Sequence, residues 1–126
     1  MNRFVLDASA VLAVLNEERG YQKIEPYFAD GVVSSVNYTE ILTKLIDRGH
    51  SLATAVEVFD LLQLDIVGHD IEQARRAAEL RSTTKHLGLS LGDRCCLALA
   101  ALRKASAVTA DRSWQTLKVC KINVVR

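Results

Sequence analysis

The sequence predicts an α/β protein in which helices cover both faces of a central, mostly parallel sheet of about five short strands. Two observations lead to this fold class. Short apolar runs such as Phe4–Leu6 and Ala107–Thr109 alternate along the chain with longer segments of helical periodicity. The apolar runs also show no polar alternation, which is typical of strands that are buried on both faces.

Length and composition predict one domain spanning residues 1–126. The chain has 126 residues, of which 49% are hydrophobic and 25% charged, an ordinary globular composition. A single proline and six glycines exclude collagen-like and low-complexity chains. The balanced charge, a net of +1, argues against disorder.

Capping residues and turn signals set the bounds of the predicted elements. The helix over 36–48 illustrates the reasoning: Tyr38, Ile41, Leu42 and Leu45 form one apolar face, and Gly49 follows at the position that ends a helix. The predicted strands are 3–7, 32–33, 64–68, 107–110 and 122–125. The predicted helices are 8–15, 21–29, 36–48, 51–62, 70–84, 93–104 and a short turn over 113–117, with a loop over 88–92.

Several classes of protein are disfavoured by simple counts. The longest strictly apolar run, Cys95–Leu102, is far shorter than the roughly 20 residues that cross a bilayer. Asp7 interrupts the N-terminal apolar stretch, so a signal peptide is not expected, and we expect a cytoplasmic protein without a membrane partner. The three cysteines form no C-x-x-C pair, which predicts neither a disulfide scaffold nor a zinc site.

Two acidic residues follow predicted strands. Asp7 comes after Phe4-Val5-Leu6, and Asp111 comes after Val108-Thr109-Ala110. Ligands of open parallel sheets bind beyond the carboxyl ends of the strands, and a lone carboxylate is costly to bury there unless a cation compensates it. The alternative for each residue is an N-cap of the helix that follows. Position alone leaves both interpretations open.

Two further acids lie on helices. Ser90-Leu91-Gly92-Asp93 fits a capping box, but the helix behind Asp93 is apolar nearly all round, so burial of that helix would bring Asp93 to the sheet. Glu40 lies on the polar face of its helix, and Lys44 at i+4 offers an ordinary solvated ion pair as the alternative.

Taken together, the four acids and their surroundings resemble the PIN-domain family. The matching segments are FVLDASAVLAVLNEE at 4–18, SSVNYTEILTKL at 34–45, LSLGDRCCLALAAL at 89–102 and VTADRSW at 108–114. The resemblance is closest to VapC-type toxins of prokaryotic type II toxin–antitoxin pairs. It implies a PIN-like three-layer α/β/α sandwich.

The resemblance also implies a metal-dependent endoribonuclease that hydrolyses phosphodiester bonds of tRNA, rRNA or mRNA with a metal-activated water. The implied catalytic and metal-binding residues are Asp7, Glu40, Asp93 and Asp111, with Ser9 and Thr109 in supporting positions. Carboxylates without histidine or cysteine suit Mg²⁺ or Mn²⁺ and disfavour zinc. Trp114 stands where the family often has an aromatic residue, and we expect it to be a packing anchor.

RNA binding requires positive charge near these acids, and the charge distribution allows it. Residues 1–63 carry a net charge of −4 and residues 64–126 a net charge of +5. The candidate phosphate contacts are Arg94, Arg112, Lys85 and His86. The resemblance further implies a homodimer and a small DNA-binding antitoxin partner that occludes the acidic site.

Two other functions fit the same pattern of elements. A receiver domain, which acts as a Mg²⁺-binding phosphorylation switch, matches the size and the alternating strands and helices. It needs an acidic pair after the first strand, and Asp7 has no acidic neighbour before Glu17. A catalytically silent PIN-like binding module is the second alternative, against which the presence of all four acids argues.

Overall fold

The computed structural model describes residues 3–125, and its core is a five-stranded sheet in which every neighbouring pair of strands is parallel. The strand order is β3-β2-β1-β4-β5. The strands are β1 (Phe4–Leu6), β2 (Gly31–Ser34), β3 (Asp65–Val67), β4 (Ser106–Thr109) and β5 (Ile122–Val124). The α-helices are α1 (Ala8–Leu15), α2 (Ser35–Asp47), α3 (Leu52–Asp60), α4 (Ile71–Thr84) and α5 (Leu91–Arg103).

Helices cover the sheet on both faces, as the continuous apolar strands predict. Successive strand residues point to opposite faces. Val5 and Ala107 therefore belong to a core with α4 and α5, whereas Leu6 and Val108 belong to a core with α1, α2 and α3. This arrangement confirms the three-layer α/β/α sandwich.

The strand order reverses between β1 and β4. From β1 the chain moves outward through β2 to β3, then crosses back with α4 and α5 to place β4 on the other side of β1. Such a reversal opens a crevice at the carboxyl ends of the two strands, where doubly wound folds bind ligands. Receiver domains have the order 2-1-3-4-5 instead, so the receiver alternative is wrong.

The structure corrects two predicted elements. The helix predicted over 21–29 is two 3₁₀ segments, Tyr21–Lys23 and Glu25–Asp30. Gly20 precedes them with a positive φ of 87°, and Pro26 removes a backbone donor, so a continuous α-helix cannot form. The predicted loop over 88–92 is shorter, because α5 begins at Leu91 rather than at Asp93.

The layer formed by α5 and the turn after β4 is closely packed. Cys95 and Cys96 are buried and unpaired in the α5 layer, and Trp114 is fully buried, which confirms the packing role expected for it. Within residues 3–125, none of the helices combines the length and the apolar character that a bilayer crossing needs.

Candidate active site at the carboxyl edge of the sheet

Asp7 lies at the end of β1 with only 4% of its surface exposed, and the hydrogen bonds that its carboxylate accepts come from α1 and β4. The backbone N–H of Ala10 donates to Oδ1 at 2.9 Å, which confirms the N-cap interpretation. The Ser9 hydroxyl donates to Oδ1 at 2.8 Å, and the Thr109 hydroxyl donates to Oδ2 at 2.6 Å. Asp7 therefore both caps α1 and is buried at the crevice.

Ser9, on α1, and Thr109, the last residue of β4, connect the two elements that hold Asp7. Their hydroxyl oxygens lie 3.3 Å apart. Ser9 Oγ accepts from the backbone N–H of Ala110 at 3.1 Å, and Thr109 Oγ1 accepts from that of Asp111 at 3.0 Å. The two hydroxyls thus tie the backbone around Asp111 to the carboxylate of Asp7.

The side chain of Asp111 is exposed and caps the next turn. Its Oδ1 accepts from the backbone N–H of Ser113 at 2.9 Å, at the start of the 3₁₀ segment Arg112–Thr116. The N-cap interpretation is thereby confirmed for Asp111 as well. Oδ2 is not used by the cap.

Glu40 reaches the same edge of the sheet from α2. Its Oε1 accepts from Asn37 Nδ2 at 2.7 Å, and the same amide donates to the carbonyl of Gly92 at 3.1 Å. A Cβ on Gly92 would lie 2.3 Å from Oε1, so the carboxylate rests directly against the backbone of α5. Within residues 3–125, no ion pair joins Glu40 to Lys44, and the solvated-pair alternative is wrong.

Asp93 forms the predicted capping box at the start of α5. Its backbone N–H donates to Ser90 Oγ at 3.1 Å, and its Oδ2 accepts from the backbone N–H of Ser90 at 2.9 Å. The burial of residues Cys95–Ala100 behind it carries this helix start to the sheet.

Electrostatic effects show which acids are neighbours. Burial raises the pKa of Asp7 to about 6, against hydrogen bonds from Thr109, Ala10 and Ser9 that lower it, and the charge of Asp93 raises it further. Burial also raises the pKa of the Cys96 thiol well above its usual range, and the charges of Asp7, Asp93 and Glu40 contribute in the same direction. The charges of Asp7, Asp93 and Glu40 therefore all act on the same buried thiol. The backbone N–H of Asp111 donates to Thr109, which in turn donates to Asp7.

The oxygen-only chemistry of these side chains fits a hard divalent ion such as Mg²⁺ or Mn²⁺. In residues 3–125, however, no group of three or more His, Cys, Asp or Glu side chains is arranged to hold a metal ion. Hydroxyl and backbone donors engage both oxygens of Asp7. Next to Glu40, the buried Oδ1 of Asn37 has no hydrogen-bond partner in the described part of the chain.

The residues expected to contact RNA differ in whether their side chains already bind other groups of the protein. Arg94 Nη1 donates to the carbonyl of Ala77 on α4 at 2.9 Å, so this guanidinium is engaged within the protein. Lys85, His86 and Arg112 are exposed.

Sequence reasoning missed Asn37 and Gly92, which position Glu40. An asparagine three residues before a helical glutamate lies on the same face of the helix, and this spacing was the available signal for Asn37. The signal for Gly92 was a glycine in the first turn of an otherwise apolar helix, where alanine would favour the helix more.

Comparison with known proteins identifies the family. The family model described as "PIN domain" matches residues 4–119. The chain belongs to the PIN-domain family.

Solved structures agree with this membership at the level of the fold. A chain of the DNA-bound VapBC from Salmonella typhimurium superposes with a TM-score of 0.76 at 16% identity, covering 98% of both chains. FitAcB from Neisseria gonorrhoeae gives a TM-score of 0.72 at 16% identity, covering 94% of this chain and 95% of that one. VapBC-5 from Mycobacterium tuberculosis gives 0.66 at 19% identity, covering 98% and 99%. A direct search of curated proteins finds no match.

Proposed function

We propose that this PIN-domain protein is the toxin of a VapC-type toxin–antitoxin pair and acts as a Mg²⁺- or Mn²⁺-dependent endoribonuclease. One observation carries the proposal: Glu40, from α2, lies directly against the backbone at the start of α5, where Asp93 caps the helix, and the charge of Asp93 acts on Asp7 at the end of β1. Capping accounts for Asp7 and Asp93 individually, but it gives no reason for Glu40 to lie against the backbone of α5.

The residues proposed to hold the metal are Asp7, Glu40, Asp93 and Asp111. A divalent ion bound there would lower the pKa of a water molecule and offset negative charge on the scissile phosphate. Ser9 and Thr109 keep the Asp7 carboxylate in one orientation by donating to its two oxygens. Asn37 does the same for Glu40. No protein nucleophile is needed, because water attacks the phosphate directly.

Binding of the RNA is proposed to use exposed cations near the acids. Lys85 lies in the segment before α5, and Arg112 directly follows Asp111. We leave Arg94 out of this set, since the carbonyl of Ala77 already accepts from its guanidinium.

The proposal includes a small DNA-binding antitoxin that covers the acidic site, and a homodimer of the toxin. The similar structure from Klebsiella pneumoniae is a toxin–antitoxin complex, and the Salmonella one is bound to DNA. Leu52, Leu61 and Ile71 are 59%, 82% and 69% exposed, which leaves apolar surface for partner chains.

Cleavage of RNA tests the enzymatic function against the silent binding module. The purified chain is incubated with total tRNA and Mg²⁺ or Mn²⁺, with EDTA, and as an Asp93→Asn variant purified identically. We expect cleavage that EDTA and the variant both abolish. Cleavage that persists in the variant would identify a contaminating nuclease, and an inactive wild type on a panel of RNAs would favour the binding module.

A further inference from the structure

We propose that a basic cleft beside the candidate active site binds the phosphodiester backbone of the RNA strand that flanks the cleaved bond. The cleft is lined by Arg19, Gly20, Lys23 and Arg112 and has a volume of about 710 Å³. This inference rests on the proposed ribonuclease function and adds a substrate-binding surface to it. Arg19 and Lys23 were not among the contacts expected from the sequence.

The position of the cleft connects it to the acids. Arg112 directly follows Asp111 in the turn after β4. Arg19 and Lys23 lie in the segment that follows α1, the helix capped by Asp7. The cleft therefore joins the turn after β4 to the segment that follows α1.

The three cations of the cleft are free to bind an external anion. All are exposed, and within residues 3–125 none of them forms an ion pair. Two other arginines are engaged within the protein, since Arg3 pairs with Asp30 at 3.0 Å and Arg48 donates to Asn16. Three positive charges without a carboxylate among the described lining residues would repel one another in the absence of an anion.

The spread of the charges favours a polyanion. Two separate segments of the chain supply them, around an open space wider than a single phosphate group requires. Successive phosphates of an RNA strand match such a spread of charge, and neutralising each of them releases counterions. We therefore assign this surface to the RNA backbone, independent of base sequence.

A salt titration of RNA binding tests the assignment. Affinity for a fluorescent single-stranded RNA is measured in EDTA, which prevents metal-dependent cleavage, over a range of salt concentrations. The test variant is Arg19→Ala/Lys23→Ala. The matched control is Arg103→Ala/Lys121→Ala, which removes the same two charges from exposed positions at the end of α5 and just before β5.

We expect the cleft variant to bind more weakly, and the slope of log affinity against log salt to become shallower by about 1.4, or ~0.7 for each lost phosphate contact. The control should retain the wild-type slope, and both variants the wild-type melting temperature. Equal slopes in cleft and control variants, or no binding of RNA by the wild type, would overturn the inference. Cleavage of RNA by the wild type with Mn²⁺, measured in parallel, reports on the proposed function separately.

Discussion

Two corners of the candidate site hold their carboxylates by opposite means. In the Asp7 corner, formed by Asp7, Ser9 and Thr109, donors engage both carboxylate oxygens and burial is nearly complete. In the Glu40 corner, formed by Asn37, Glu40, Gly92 and Asp93, one amide holds the carboxylate, which rests against a backbone without a side chain. Hydrogen bonds position the Asp7 carboxylate, whereas the Glu40 carboxylate fits against α5 because Gly92 has no side chain.

The largest effect is expected from Gly92→Ala. The new methyl would lie 2.3–2.6 Å from the Glu40 carboxylate, which must move away. Because that carboxylate is the end of a flexible side chain, we expect stability to change little. A displacement of about 1 Å in a catalytic group can cost ~100-fold in rate, and we expect a loss of that size in RNA cleavage.

Gly68→Ala is the matched control, since a Cβ there meets nothing within 4 Å. Its cleavage rate should equal that of the wild type. If Gly92→Ala cleaved RNA at the wild-type rate as well, the position of Glu40 against α5 would have no catalytic role.

Asp7→Asn tests the opposite corner through stability. The folded carboxyl titrates near pH 6, whereas its ordinary value is 3.8, so the folded state holds more protons between these values. The contribution of this group to the free energy of unfolding therefore falls as the pH rises from about 4 to about 6, and it stays low above that. At pH 7 the buried, ionised carboxylate lowers the free energy of unfolding by at most roughly 3 kcal/mol.

Without metal, Asp7→Asn should accordingly be no less stable than the wild type at pH 7. Any gain in its free energy of unfolding over the wild type should shrink towards pH 4. Urea unfolding at several pH values measures it. Because asparagine caps helices about as well as aspartate, a loss of more than about 1 kcal/mol at pH 7 would mean that the hydrogen bonds from Ser9 and Thr109 to the carboxylate outweigh the cost of its burial.

A smaller effect is expected from Asn37→Ala. The buried amide donates to Glu40 and to the carbonyl of Gly92, and losing such bonds costs about 1–2 kcal/mol. We expect this loss in urea unfolding together with slower cleavage of RNA. Thr39→Ala, at an exposed position of the same helix, is the control that should change neither. Unchanged stability and activity in Asn37→Ala would show that Glu40 needs no support from Asn37.

The comparison also explains what the sequence can predict. The helix over 8–15 has its observed bounds in the prediction, because the cap at Asp7 and the apolar run are local features. The capping box at Asp93 and the N-cap at Asp111 are equally local. The hydrogen bond between Thr109 and Asp7 joins residues far apart in the chain, so the sequence offers their placement only through the resemblance to a family.

The Glu40 corner depends on tertiary packing. Periodicity puts Glu40 on the polar face of α2 and pairs it with Lys44. Only the packing of α5 against α2 brings the Glu40 carboxylate into contact with Gly92. The sequence likewise did not predict the cleft of Arg19 and Lys23, since it predicted a helix over 21–29 where two 3₁₀ segments form. Both errors occur where distant segments decide the local surroundings.

The central claim, that these acids form one metal site, is tested most directly by melting the chain with and without Mn²⁺. A ligand that binds only the folded state stabilises it by about 2.7 kcal/mol at a hundredfold excess over its Kd. We predict that Mn²⁺ raises the melting temperature of the wild type and of Glu57→Gln, an exposed control on α3, by several degrees, and that Glu40→Gln loses the shift. No shift in the wild type, or an equal shift in Glu40→Gln, would contradict the claim.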